Sequence, residues 1–333
     1  MRVHSHAPGP AGHGVVRHAR SVARLCAARG VSAGGPEPDL THAHFTDALF
    51  GPTIDEAARA YRAWAARARR PLVVTVHDVP DPAGRGRRDL ARCAGYTAVL
   101  EASDSVIVSA EHEAAKVARL TAKPVHHIDL PLPAEPAALA LRAPEEVASS
   151  LVVLGYLYPG KGHREAIDVA AAVGRDRPEG PPGVFAAGTA SAGHDELAEQ
   201  LRVRAEAKGV PFVITGHLTD DRFAAIARAA GVPLVLNREV SASGSLLSWL
   251  SCQRRPITWA GPYSREIERR YPGNLALAAT SAELAERTAR ALADPRETRL
   301  AEVPRWRDIG AEHVALYRRV LAAHEGAPCS PTS

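Results

Sequence analysis

The chain has 333 residues, 46% hydrophobic and 23% charged, with a formal net charge of +4 that divides evenly about residue 150. That length suits two domains of ordinary size, and no basic block or tail points to a nucleic-acid partner. The cysteines Cys26, Cys93, Cys252 and Cys329 are far apart and form no C-x-x-C pair, which argues against a disulfide framework and against a zinc site. No apolar run approaches the roughly 20 residues of a membrane span, and Met1 leads into Arg2-Val3-His4 without a signal peptide, so the expected location is cytoplasmic.

Arg2–Ala7 reads as a first strand, Pro8 to Gly14 as a glycine-rich loop, and Val15 to Ala28 as a helix with Val15, Val22, Leu25 and Cys26 on one face. Leu40–Phe45 is a strand, Ile54–Ala68 a helix, and Pro71–Val76 the clearest strand of this half, with His77-Asp78 at its C-terminal end. A polar loop is expected to run to Arg88. Arg85, Arg87 and Arg88 in it read as solvated, the alternative being an acidic acceptor or weak contact with an anionic membrane surface. Ser105–Ser109 is a strand, Glu111–Leu120 a helix and Pro124–Ile128 a last strand. The prolines Pro131, Pro133, Pro136 and Pro144 mark a linker. His42 and His44 alternate along one strand, but no third ligand stands at fitting spacing, so no metal is expected.

The second half alternates more regularly. Strands are expected at Leu151–Leu157, Val184–Ala187, Pro211–Thr215, Pro233–Leu236, Pro256–Trp259 and Leu275–Ala278. Helices fill the gaps at His163–Val173, His194–Lys208, Asp221–Ala230, Ser245–Cys252, Ser264–Tyr271 and Ala282–Ala293, and Ile309–His324 is a terminal helix. Short apolar strands alternating with helices imply a parallel sheet covered on both faces, with ligand-binding loops at the strands' C-terminal ends. Two such domains imply a cleft. The stretch Leu151–Asp168 opens the second domain: an apolar run, the turn Tyr158-Pro159-Gly160, then Lys161, Gly162 and a helix. Such a loop aims backbone N–H groups and a helix N-terminus at a phosphate, and Lys161 adds a mobile positive charge. Lys161 is one of only four lysines beside 37 arginines.

Five stretches, Gly12–Arg17, Val73–Pro80, Ser105–Glu113, Leu154–His163 and Thr215–Phe223, resemble in order and spacing the retaining nucleotide-sugar glycosyltransferases of the family-four type. A sixth, Ser241–Leu246 running to Ile257, occupies the place of that family's donor-binding helix. The resemblance implies an α/β fold of two facing Rossmann-like domains (the GT-B fold), each a parallel sheet with helices on both faces. It divides the chain into an acceptor-side domain at 1–140, a donor domain at 148–302, and a helix at 303–325 returning to the first domain. Trp306, Val314, Leu316 and Tyr317 are expected to bury apolar surface there, and 326–333 form a disordered tail.

By the same resemblance, Gly12 and Gly14 let the backbone approach the donor, His77 contacts the transferred sugar and Lys161 pairs with the diphosphate in the Gly160–Gly162 loop. His217 and Leu218 touch the base. Ser243, Gly244 and Ser245 present N–H groups and hydroxyls to phosphate or ribose. Tyr156 stands where the family carries an arginine, and Ser241 and Trp249 stand where it carries glutamates; Glu239 is the nearest acidic residue, and Arg238, Arg254 and Arg255 are the arginines that could supply the missing cation. The implied enzyme is a metal-independent, retaining glycosyltransferase with no cofactor beyond a UDP- or GDP-linked sugar as substrate, acting on a small-molecule or lipid-linked acceptor. A catalytically silent relative is the alternative. A dinucleotide-dependent oxidoreductase fits less well, because neither Gly9, Gly12 and Gly14 nor Gly155, Gly160 and Gly162 give the spacing G-x-G-x-x-G.

Overall fold

A computed structural model of the chain describes residues 1–35, 37–134, 141–191, 193–238 and 240–326. Pro136 of the expected linker and residues 327–333 of the expected tail lie outside the described residues. The chain forms two compact units, one of Met1–Pro131 with the chain from Arg307 onward, the other Leu132–Trp306.

In the first unit the elements are β1 (Arg2–His6), α1 (Gly14–Ala27), β2 (Ser32–Ala33), β3 (Leu40–Phe45), α2 (Asp47–Phe50), α3 (Ile54–Ala65), β4 (Leu72–Val76), α4 (Arg87–Glu101), β5 (Ser105–Val108), α5 (Glu111–Val117) and β6 (Val125–His127). Six strands pair in parallel in the order β2-β1-β3-β4-β5-β6. Alternation along each strand divides the sheet into two unlike faces. Ala43, Phe45, Leu72, Val74 and Val76 join Tyr61 of α3 and Tyr96 and Val99 of α4 in one apolar cluster. The opposite face carries His42, His44 and Thr75, all buried.

The loop expected to reach Arg88 ends earlier, because Arg87 and Arg88 open α4, where both are exposed. Gly95 sits inside α4 for a packing reason: a Cβ there would lie 2.4 Å from the Ile54 side chain of α3.

In the second unit, a 3-10 turn (Glu145–Ser149) leads into β7 (Leu151–Leu154), α6 (His163–Gly174), β8 (Val184–Ala187), α7 (Asp195–Ala207), β9 (Phe212–Ile214), α8 (Asp220–Ala229), β10 (Val232–Val235), α9 (Gly244–Ser251), β11 (Ile257–Trp259), α10 (Pro262–Arg270), β12 (Ala276–Ala278) and α11 (Ser281–Ala293). Again the sheet is parallel, in the order β12-β11-β10-β7-β8-β9. Its apolar core is built from Leu151, Val153, Val184, Val232 and Leu234 of the strands and Ile167, Ala170, Leu201 and Leu284 of the helices.

The terminal helix α12 (Ile309–Glu325) belongs to the first unit, where it packs on α1 and Asp308 pairs with Arg29. Trp306 differs from expectation: it lies before the helix and stacks on Tyr271 of the second unit at 4.5 Å.

Arg254, 2% exposed, ties the second unit together. Its guanidinium donates to the carbonyls of Arg228, Gly231 and Thr298 and to the Thr298 hydroxyl, at 2.7–3.1 Å. Burial pushes its pKa down to about 10. Replacing Arg254 by Ala strands these acceptors and leaves a cavity, so Arg254→Ala is expected to destabilise the protein by about 3 kcal/mol in urea unfolding. A change below about 0.5 kcal/mol would show that water replaces the guanidinium without penalty.

Candidate functional site

In the second unit, the strand sequence runs outward from β7 to one edge and then from β10 to the other. The reversal falls between β7 and β10, which are hydrogen-bonded neighbours. Open α/β sheets bind ligands at such a switch point, outside the strands' C-terminal ends. The loop from β7 to α6 and the loop from β10 to α9 therefore flank the candidate site.

The first loop is built on glycine. Gly160 and Gly162 have φ of 87° and 100°, in the left-handed region. At Gly162 a Cβ would also lie 2.4 Å from Leu236. Gly162 is the N-cap of α6, and no side chain caps that helix start, which leaves its first turn available to an anion.

Lys161 departs from the mobile charge expected of it. It is 7% exposed, and its Nζ donates to Ser245 Oγ at 2.9 Å, spanning the switch point to the start of α9. The ammonium also lies 5.8 Å from the Tyr158 ring and beside Gly155. Among the described residues Lys161 has no ion-pair partner, and burial pushes its pKa down to about 8. His163, the first residue of α6, is 3% exposed with both ring nitrogens unpartnered among the described residues; burial and the Lys161 charge push it down to about 3.

The α9 start is preorganised. Ser243 Oγ accepts from the Leu246 N–H at 3.2 Å and lies 3.2 Å from Ser245 Oγ. Ser243 therefore already serves as a helix cap. Gly244 is exposed at the first helical position. A small cavity beside this helix is lined by Asn237, Arg238, Ser243, Thr258, Trp259 and Ser264. Of the three arginines considered for the missing cation, Arg254 holds carbonyls in the core, and Arg255 binds Leu275 O and Glu297. Arg238 alone of the three reaches the cavity, with its guanidinium 4.4 Å from the Trp259 ring centre. Trp249, at the family's glutamate position, is fully buried and donates to Leu234 O, so it is a core residue. Tyr156 is 42% exposed. His217 is exposed and Leu218 half-buried in the turn before α8. Glu239 lies outside the described residues.

In the first unit the sequence order reverses between β1 and β3, so the loop bearing Gly12 and Gly14 leaves the sheet at its own switch point. His13 caps α1 by accepting from Val15 N at 3.2 Å, and a Cβ at Gly14 would meet nothing within 4 Å. His77 follows β4; its N–H donates to Phe45 O at 2.8 Å, and its carbonyl accepts from Tyr96 OH at 2.6 Å. Burial pushes its imidazole down to about 4, with His13 as a smaller cause.

Asp78, next in sequence, has φ of 53° and accepts from Thr46 Oγ1 at 3.2 Å, while Arg92 binds its carbonyl at 2.8 Å. This places a strained residue at a strand's C-terminal end. Glu113 is 1% exposed, and burial together with the Asp78 charge lifts its carboxyl to about 8. Neither was singled out from the sequence, although both lie in its recognised stretches. His42, paired with His44 in the sequence reading, has both ring nitrogens in hydrogen bonds, to Tyr317 and Thr75, and His44 instead has other imidazoles beside it. His18 of α1 and His77 approach His44, with one ligand nitrogen of each within 4.8 Å of the others.

Both folded units are thus Rossmann-like α/β domains of the GT-B type. No family model matches the chain, and no curated protein matches it. Among solved structures, it is similar to sucrose-phosphate synthase from Thermosynechococcus elongatus (TM-score 0.69, 16% identity, covering 97% of this chain and 99% of that one). It is also similar to Anabaena HepE in complex with UDP-glucose (TM-score 0.68, 14% identity, 98% and 100% covered). A third likeness is to the trehalose-6-phosphate synthase OtsA (TM-score 0.57, 14% identity, 92% and 74% covered). At these identities the likeness is one of fold.

The buried lysine sets a pH dependence. Its pKa falls from the ordinary 10.5 to about 8 on folding, so between these values the unfolded chain binds more protons. Its contribution to stability therefore rises with pH from about 8 to 10, while attraction for an anion fades over the same range. Thermal unfolding of wild type against Lys161→Met is expected to show the two curves converging across this window. Parallel curves would place the Lys161 pKa near its ordinary value.

Proposed function

We propose that this chain is a glycosyltransferase that moves a sugar from a UDP- or GDP-linked donor to an acceptor hydroxyl with retention of configuration. One observation supports it most: a buried ammonium without a counter-ion among the described residues, bonded to the first turn of α9 at the switch point of a Rossmann-like sheet. A nucleotide diphosphate supplies the absent negative charge. The fold likeness extends to HepE, whose structures hold UDP and UDP-glucose. No helix among the described residues is long and apolar enough to cross a membrane.

In this reading Lys161, the Gly160–Gly162 loop and the N–H groups at the α9 start meet the charge that grows on the leaving diphosphate, so no divalent ion and no cofactor is needed there. Arg238 takes the place of the arginine that Tyr156 replaces. His217 and Leu218 touch the base, and Glu239 is assigned to the donor. Gly12 and Gly14 let the backbone approach the donor, and His77 contacts the transferred sugar. The acceptor is a small molecule or a lipid-linked sugar, and the Arg85–Arg88 stretch suits an anionic surface. Trp249 and Tyr156, at positions where the resembled family has charged residues, favour a second reading: a protein that binds the donor and does not turn it over.

Titration with UDP-, GDP- and dTDP-sugars, followed by product analysis, separates the two. Lys161→Met is expected to lower turnover about 100- to 1000-fold, as for loss of one well-placed charge-stabilising donor, without lowering the melting temperature. Tight binding with no product would establish the silent reading, and no binding of any nucleotide would remove both.

A further inference from the structure

The polar face of the first sheet holds an unusual group. His18, His44 and His77 come from α1, β3 and the end of β4, and their rings form a near-equilateral triangle. The ring centres are 5.2 Å apart for His18–His44, 5.2 Å for His18–His77 and 5.9 Å for His44–His77. His44 is fully buried. Its two ring nitrogens, Nδ1 of His18 and Nε2 of His77 are shielded from solvent and have no hydrogen-bond partner among the described residues. Buried polar atoms in folded proteins are nearly always satisfied, so four open nitrogens in one cluster call for a ligand.

Of the neighbouring histidines, His42 is fully used, and His313, whose Nε2 is open, stands outside the triangle. His42 holds Tyr317 OH and Thr75 Oγ1, each at 2.7 Å, and His313 Nδ1 donates to Ile309 O at 2.8 Å. The three open imidazoles have no carboxylate or thiolate in their cluster, which suits a metal of borderline softness.

We propose that His18, His44 and His77 form a zinc site. The ring spacing fits. With Zn–N bonds of about 2.0–2.1 Å and about 1.15 Å from ring centre to nitrogen, imidazoles around a tetrahedral ion have centres about 5.2 Å apart. Binding requires the ligand nitrogens, which stand within 4.8 Å of one another, to close to about 3.4 Å. Three protein ligands leave a fourth position to water. The ion ties α1 to β3 and β4 and fixes the His77 ring, so His77 is presented in one orientation beside the strained Asp78. This inference rests on the three imidazoles alone and does not depend on the transferase reading.

The test uses untagged full-length protein, stripped with a chelator, dialysed against Zn²⁺ or Co²⁺, and assayed for metal content by mass spectrometry. One ion per chain is expected, with the visible absorption of tetrahedral Co²⁺ in the cobalt form. Loss of a ligand should cost more than the 10- to 100-fold seen for outer partners, so His18→Ala is expected to weaken affinity by more than about 100-fold. His18 lies partly exposed on α1, so this variant should keep its fold, checked by circular dichroism; His44→Gln provides the matching change in the core. His324→Ala, on the exposed face of α12, controls for surface binding and should leave affinity unchanged. Folded wild type that retains no metal, octahedral cobalt spectra, or a folded His18→Ala with unaltered affinity would each overturn the site.

Discussion

The second unit is arranged around a charge taken out of water with only neutral partners. Lys161 is buried, its ammonium is bonded to a serine hydroxyl and faces a tyrosine ring, and no carboxylate pairs with it among the described residues. Burying an unpaired charge costs several kcal/mol, and proteins accept that cost where something else gains by it. Much of the local architecture serves to keep the ammonium there. Gly155 takes a left-handed turn beside it, Gly162 turns the chain tightly against Leu236, and Ser245 is held by Ser243, which caps α9 at the same time. A single anionic group at this point relieves the unpaired charge and meets two helix N-termini. That is a stronger basis for phosphate recognition than a glycine loop alone, because the penalty exists before the ligand arrives and is removed by it.

The first unit solves a different problem with the same topology. One face of its sheet is conventional, with Phe45, Tyr61 and Tyr96 in edge-on contact at 5.2–5.4 Å. The other buries imidazoles where a Rossmann-like sheet would ordinarily bury aliphatic side chains. Burial holds His18, His42 and His44 well below the usual imidazole pKa, so the cluster is neutral at ordinary pH. Neutral imidazoles can pack closely, which five cations could not. The terminal helix closes this face, with Tyr317 hydrogen-bonded to His42 and Leu316 fully buried. Its return to the first unit is therefore part of the polar core.

Most elements were legible because strand and helix periods are clean here: Leu40–Phe45 and Val184–Ala187 fall where the apolar runs place them. The helix Arg87–Glu101 was not. Its first two turns expose Arg87, Arg88 and Leu90, its buried residues are confined to Gly95 onward, and a glycine in its middle reads as a break. Only the tertiary contact with Ile54 explains that glycine. In the candidate site, the glycine loop, Lys161 and the serine run were visible as motifs. The burial of Lys161 was not, since it depends on a hydroxyl 84 positions away. The histidine triangle was hidden for the same reason: its members lie on three elements, and adjacency of β3 and β4 is a property of the sheet order.

The departures from the resembled family gain a physical meaning once placed. Trp249 fills core volume and donates to a β10 carbonyl, so a carboxylate at that point would have to be desolvated against Leu234 and its neighbours. At this point of α9 the side chain therefore serves packing. Lys161 meanwhile keeps neutral partners, the Ser245 hydroxyl and the Tyr158 ring, among the described residues. Arg238, stacked on Trp259 at the rim of the adjoining cavity, extends the same logic, because an aromatic face orients a guanidinium without neutralising it. Lys161 and Arg238 thus keep hydroxyl or aromatic partners, whereas Arg204 and Arg255 of the same unit pair with Asp168 and Glu297.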